Sequence, residues 1–176
     1  MVPNDSPKIG IYFSHYECLG HVSRVMAVGE VWKKRFPKGN LFFIQAGLQQ
    51  SKTKLDMMGN VYQLPGAYLS RLNFKEPVRL NGAQIEGRSR FCADILVKEK
   101  PDVFITELFP LGREEGRFEL APSLIKSSQQ GCSLWAVAGY PLLTALNDTW
   151  RKSIIKLYKR IIIFSPPERK SSSQTS

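Results

Sequence analysis

Cysteine, histidine and long apolar runs are all scarce in this sequence, and each scarcity removes a class of protein. The three cysteines, Cys18, Cys92 and Cys132, stand far apart. An odd and sparse set without metal-ligand spacing supplies neither a disulfide framework nor a zinc site, and reads as reduced thiols buried as small hydrophobes in a cytosolic compartment. No metal site is expected. No apolar run approaches the roughly 18 to 20 residues that a membrane-spanning helix needs, and the opening stretch, from Met1 to Pro7, has neither a basic head nor an apolar core. The expectation is a cytoplasmic protein. G-x-G-x-x-G and G-x-x-x-x-G-K-[ST] are also missing, so dinucleotide-dependent hydride transfer and P-loop nucleotide hydrolysis lose their usual signatures, and no cofactor is expected.

What is present is a chain of 176 residues, 43% hydrophobic and 11% aromatic. That length supports one sizeable core rather than two. Acidic residues are in deficit, 15 against 25 Lys and Arg, and the imbalance is uneven. Residues 1–149 hold 18 basic and 14 acidic groups, whereas the last 27 hold 7 and 1. From Trp150 to Arg160 the apolar Ile154, Ile155, Leu157 and Tyr158 are set among five cations, which reads as a basic helix at a surface. It is either a solvated helix with its other face in the core or a docking face for an anionic partner, of which a membrane surface fits better than nucleic acid, since no nucleic-acid motif is present.

Apolar runs of strand length alternate with stretches of helical period. Ile9–Ser14 reads as a strand, and Val22, Val25, Met26, Val28, Val31 and Trp32 recur at helical intervals until Phe36-Pro37. Leu41–Ile44 and Val61–Leu64 read as strands, a helix is expected from about Ala83 to Lys98, and Pro101 closes the turn. Val103–Thr106 is a strand, Leu120–Gln130 a helix, Ser133–Val137 a strand, and Ile161–Phe164 the last strand. Continuous apolar runs suit strands covered on both faces, so the fold expected is α/β, a Rossmann-like doubly wound parallel sheet over residues 1–165. Residues 166–176, rich in Pro, Ser and charge, are expected to be a disordered tail.

Ligands of such sheets bind at the carboxyl ends of the strands. There the first strand runs into Ser14-His15, then Leu19-Gly20-His21-Val22-Ser23-Arg24, which holds both histidines of the chain. Gly20 would permit a close turn, and the following helix would start with free N–H groups that attract anions. A histidine takes a proton from a hydroxyl near neutral pH, and a carboxylate orients it. Glu107, closing the fourth strand, is a plausible carboxylate; each residue could instead only tie down its loop. Arg24 would face either an anion or a surface carboxylate. Leu108-Phe109-Pro110-Leu111-Gly112 would line a pocket or plug the top of the sheet.

These residues resemble the opening of a group of predicted bacterial and archaeal glycosyltransferases of the GT-B fold, which share a Gly-His-x-x-Arg element after the first strand. Lys100-Pro101-Asp102-Val103 with Glu107 to Gly112 is similar to their Pro-Asp-Val strand followed by an acid and Phe-Pro-x-Gly, and Leu64-Pro65-Gly66 resembles the close of their third strand. The wider relatives include the peptidoglycan-precursor N-acetylglucosaminyltransferase. Here Glu107 replaces the more usual Asp, Leu108 stands where a His is common, and Gly139-Tyr140-Pro141-Leu142 replaces an Arg-Asp pair.

The resemblance implies an acceptor-side half of a GT-B enzyme that lacks the donor-binding half and is inactive alone. By the matching element it implies His21 as base on an acceptor hydroxyl, His15 as the second candidate, and Glu107 as the group orienting the base. Gly20, Arg24, Phe109 and Gly112 would contact acceptor or phosphate. A nucleotide sugar would be co-substrate and a sugar or lipid-linked molecule the acceptor; the donor-binding half would be a separate subunit or the missing remainder of the same gene, and a truncated or degenerate gene product fits equally well. The localisation expected is cytoplasmic, including the inner face of the membrane. The rival from another class is a noncatalytic membrane-surface adaptor that docks through its basic C-terminal helix.

Overall fold

The computed structural model describes residues 6–15, 19–47, 54–65, 81–112, 116–139 and 148–164. Among the described residues six strands and five helices alternate. They are β1 (Lys8–His15), α1 (Leu19–Arg35), β2 (Asn40–Gly47), α2 (Lys54–Met58), β3 (Asn60–Gln63), α3 (Gly82–Glu99), β4 (Val103–Glu107), α4 (Gly116–Gln129), β5 (Ser133–Gly139), α5 (Thr149–Ile155) and β6 (Tyr158–Phe164). The strands form one sheet in the order β3-β2-β1-β4-β5-β6, with every pairing parallel. The doubly wound α/β arrangement expected from the apolar runs is therefore the observed fold. The expected tail at 166–176 lies outside the described residues.

Both faces of the sheet are covered, which is why its strands read as continuous apolar runs. On one face Ile9, Ile11, Phe13, Leu41, Phe43 and Ile105 pack with Val22 and Val25 of α1 and Leu55 of α2. On the other, Tyr12, Phe42, Ile44 and Phe104 pack with Cys92, Ile95 and Leu96 of α3, Leu120 and Leu124 of α4 and Ile154 of α5. Cys92 and Cys132 are buried; Cys18 lies outside the described residues. At the centre, Gly10 of β1 is in register with Phe42 on one side and Phe104 on the other. Their rings stack with centroids 6.4 Å apart, and a Cβ on residue 10 would collide with both. A side chain at this position would have to part the two rings or bend the strand.

Helix ends follow local chemistry. Asn81 caps α3 through a reciprocal box, its side chain accepting from the Gln84 N–H while the Gln84 side chain accepts from the Asn81 N–H, both at 2.9 Å. Lys100 ends the helix in the left-handed region at φ 46°, its N–H on the Leu96 carbonyl. Lys33, Lys34 and Arg35 fill the last turn of α1, where cations complement the helix dipole.

Three local expectations are corrected, and one short helix is added. Gly20 is in the first turn of α1 and not in a turn before it. The one-turn helix α2 is not marked by periodicity, since five residues are too few to show one. Helix α4 begins a full turn before Leu120 and carries Pro122 inside it. The basic helix ends at Ile155, not Arg160, because Tyr158 enters β6 beside Leu134 and its hydroxyl meets the Thr106 hydroxyl at 2.9 Å. Its five cations are thereby divided among a helix (Arg151, Lys152), the turn after it (Lys156) and an edge strand (Lys159, Arg160). Arg151 is buried and donates to Asp148 at 2.7 Å, whereas Lys152, Lys156, Lys159 and Arg160 are exposed.

Candidate active site

Strand β4 ends in Glu107, whose side chain turns toward the α1 face and is 1% exposed. An isolated carboxylate at that depth would be costly. It is compensated from α1, whose first turns lie directly above. Arg24 donates from Nε at 3.0 Å and from Nη2 at 2.6 Å, both to Oε1 of Glu107. Nδ1 of His21 lies 2.9 Å from Oε1 and 3.0 Å from Oε2. His21 and Arg24 are three residues apart and share one face of the helix, so both reach the same acid.

The contact fixes the chemistry of the imidazole. An ionised carboxylate only accepts hydrogen bonds, so Nδ1 at this distance from both oxygens carries the proton and donates it toward Glu107. Nη2 of Arg24, also 3.0 Å from Nδ1, carries two protons and gives one to Oε1 in the shorter bond; the assignment of the ring proton to Nδ1 rests on the two carboxylate oxygens that face it. With Nδ1 protonated, the basic lone pair of neutral His21 sits on Nε2. This is a histidine oriented by a buried acid, the arrangement general bases use.

The structure thus brings together His21, Glu107 and Arg24 of the expected residues. Arg24 is committed to the buried Glu107, which corrects the expectation that it would face an anion or a surface carboxylate. His15 ends β1 in register with Gly47 of β2, at the same edge of the sheet. Gly20 lies one residue before His21 in the helix. Phe109 does not contact ligand space: it is fully buried, packed against Gly116 and stacked on Trp150 with ring centroids 6.1 Å apart. Leu108 and Leu111 are buried with it, so this segment plugs the top of the sheet. Gly112 is exposed just beyond the plug, its N–H on the Leu108 carbonyl. Of the segment after β5, Gly139 is described and residues 140–142 lie outside the described residues.

A second buried polar cluster escapes sequence reasoning. Arg88 of α3 donates from Nε to Oε2 of Glu119 at 2.5 Å and from Nη1 to the Pro65 carbonyl at 2.9 Å. The Tyr12 hydroxyl donates to the other Glu119 oxygen at 2.6 Å. Burial first, and then the Glu119 charge, push the Tyr12 phenol well up, so it remains a donor. A cavity of about 390 Å³ lined by Leu96, Lys100, Asp102, Gly131 and Cys132 opens at the opposite, amino-terminal edge of the sheet, away from His21. Among the described residues no group of three His, Cys, Asp or Glu side chains is placed to hold a metal ion, and no helix is long and apolar enough to cross a membrane.

No protein-family model and no curated protein sequence matches the chain. Among solved structures it is similar to MurG of Acinetobacter baumannii, with a TM-score of 0.52 and 12% identity over 91% of this chain and 42% of that one. It is also similar to a UDP-N-acetylglucosamine 2-epimerase, with a TM-score of 0.51 and 10% identity over 92% of this chain and 42% of the other. The UDP-GlcNAc 2-epimerase of Methanocaldococcus jannaschii gives 0.50 and 12%, over 92% and 40%. The likeness is one of fold: the chain has the Rossmann-like architecture of one half of a GT-B structure, and it spans about two fifths of the length of these proteins.

Proposed function

We propose that the chain is the acceptor-binding half of a nucleotide-sugar-dependent glycosyltransferase, completed by a donor-binding domain on another polypeptide or on a further part of its own. The observation that carries this reading is the hydrogen bond between His21 and the buried Glu107 at the carboxyl edge of a GT-B-type half. In the completed enzyme, Nε2 of His21 takes the proton of the acceptor hydroxyl as its oxygen attacks the anomeric carbon. Nδ1–H stays on Glu107, which balances the charge forming on the ring, and the nucleoside diphosphate leaves with the bonding pair. The acceptor is a sugar or a lipid-linked molecule, and the site of action is the cytoplasm or the inner face of the membrane.

One wall of a two-domain cleft can neither exclude water nor position a donor. The purified chain should therefore transfer nothing from a panel of nucleotide sugars, and should gain activity when mixed with its donor-binding half. An adjacent reading frame is the first place to look for one. Robust turnover by the 176-residue chain alone would overturn the half-enzyme reading.

The rival reading, a membrane-surface adaptor, draws on the exposed Lys152, Lys156, Lys159 and Arg160 beside Ile161 and Ile163, two large apolar residues exposed on β6. Sedimentation with vesicles that contain or lack anionic lipid tests it. Retention only on anionic vesicles, together with wild-type activity of His21→Ala in any completed enzyme, would favour the adaptor.

A further inference from the structure

We propose that Arg24 is a positioning residue that fixes the tautomer of His21 by holding Glu107 as a carboxylate. Among the described residues the Glu107 side chain has two partners, His21 and Arg24, and only Arg24 carries a permanent charge. Two of its donors converge on one oxygen, an end-on grip that charge-assisted hydrogen bonds make strong. The grip is made to an acid with almost no exposure, so water does not replace it.

The consequence for His21 follows from the donor and acceptor inventory. A carboxylate cannot donate, so the hydrogen bonds between Nδ1 and Glu107 take their proton from Nδ1, which leaves the lone pair on Nε2. Without the guanidinium, a buried acid that takes one proton from solvent lowers its desolvation cost and becomes a donor itself. Its O–H would then point at Nδ1, and the ring proton would move to Nε2. A ring in that form offers N–H, not a lone pair, to whatever lies beyond it. Arg24 thus decides which of two chemically different faces His21 presents, without touching the reacting atoms. The value of that choice for sugar transfer rests on the function proposed above; the tautomer itself does not.

The test reads the tautomer directly. The chain has two histidines, so long-range proton–nitrogen correlation spectra of the full-length ¹⁵N-labelled protein contain two ring patterns, and His15→Gln identifies the one from His21. At about pH 8, where model-peptide histidine is neutral, the wild-type His21 pattern should show Nδ1 protonated and Nε2 bare. Arg24→Met and Arg24→Gln should make the Nε2–H form the major species. Arg24→Lys, which keeps the charge, should restore the wild-type pattern at least in part. Amide dispersion in the same samples reports whether each variant is folded. A wild-type His21 with its proton on Nε2 overturns the proposal, and so does a folded Arg24→Met or Arg24→Gln chain that retains the Nδ1–H pattern unchanged. Sugar transfer is not read, so a chain that never completes a glycosyltransferase still returns an answer.

Discussion

Arg88 and Glu119 form an ion pair in the interior, Nε to Oε2 at 2.5 Å, with side chains 2% and 6% exposed. Because Tyr12 and the Pro65 carbonyl join the same pair, β1, the end of β3, α3 and α4 are tied at one point beneath the carboxyl edge. Removing one member of such a pair strands the other charge, at a cost of about 3–5 kcal/mol. Arg88→Met should therefore lower the urea unfolding midpoint strongly. The double replacement Arg88→Met with Glu119→Met should cost less than the two single changes added together. An unchanged midpoint in Arg88→Met would show that the pair contributes nothing to holding the helices.

In the enzyme completed by its donor-binding half, His21→Ala should reduce turnover by about 10²–10⁴-fold, the usual effect of losing a general base. Glu107→Gln should reduce it less, since the amide oxygen still accepts from Nδ1. If His21 only anchored its helix, the unfolding midpoint would fall and the rate per folded molecule would hold. Turnover and urea midpoint measured on the same preparations separate these outcomes.

Glu99 supplies a pH dependence. Burial works to raise its carboxyl, but hydrogen bonds from Tyr62 and Lys8 outweigh this and hold it below the usual value of 4.5. A carboxyl depressed in the folded state adds stability that is present above the unfolded value and is lost as pH falls through the folded one. The difference in urea midpoint between wild type and Glu99→Gln should thus be full at neutral pH and shrink below about pH 4.5. A difference that grows on acidification would refute the assignment.

The two described cysteines should be inert in the native chain. Burial, then the Glu119 charge, push the Cys92 thiol far up, and burial with Asp102 pushes Cys132 up to about 12. Thiolate is the reactive form, so at pH 8 a Cys18→Ser chain should react with a thiol reagent at least about 100-fold more slowly folded than in urea. Equal rates would mean that neither thiol is protected.

Much of this fold could be read from its strands. Leu41–Ile44 and Val103–Ile105 are unbroken apolar runs because helices cover both faces of the sheet, whereas a strand with one face in water would alternate apolar with polar residues. Boundaries failed where two periods competed. Between Ile154 and Ile163 the apolar residues suit a helix or a strand, and a tertiary contact, Tyr158 against Thr106, decides. The start of α4 is hidden by Gly116 and Pro122, which look like breakers in sequence. For α3 a signal is present in the sequence, the Asn81–Gln84 capping pair, and it marks the helix start one residue earlier than periodicity does.

The site was legible only in part, for a related reason. His21 and Glu107 could be placed at one edge from strand order, since His21 follows the end of β1 and Glu107 closes β4. That Arg24 reaches down to the same acid depends on Glu107 facing α1, which is a matter of which way a single β-residue points. The Arg88–Glu119 pair left no pattern at all, because its members sit at ordinary helical positions 31 residues apart.

The strand order also has a consequence for synthesis. β1 lies between β2, which follows it closely, and β4, which begins only at Val103. As the chain leaves the ribosome, β1 can therefore pair on one side early, while its other edge stays bare until the segment from α2 to α3 has been translated. An unpaired central edge is a template for pairing with another nascent chain. Throughout that interval His21 and Arg24 exist without the acid that joins them. Glu107 is the residue that ends β4, so its arrival closes the middle of the sheet and completes the His21–Arg24–Glu107 cluster in one event.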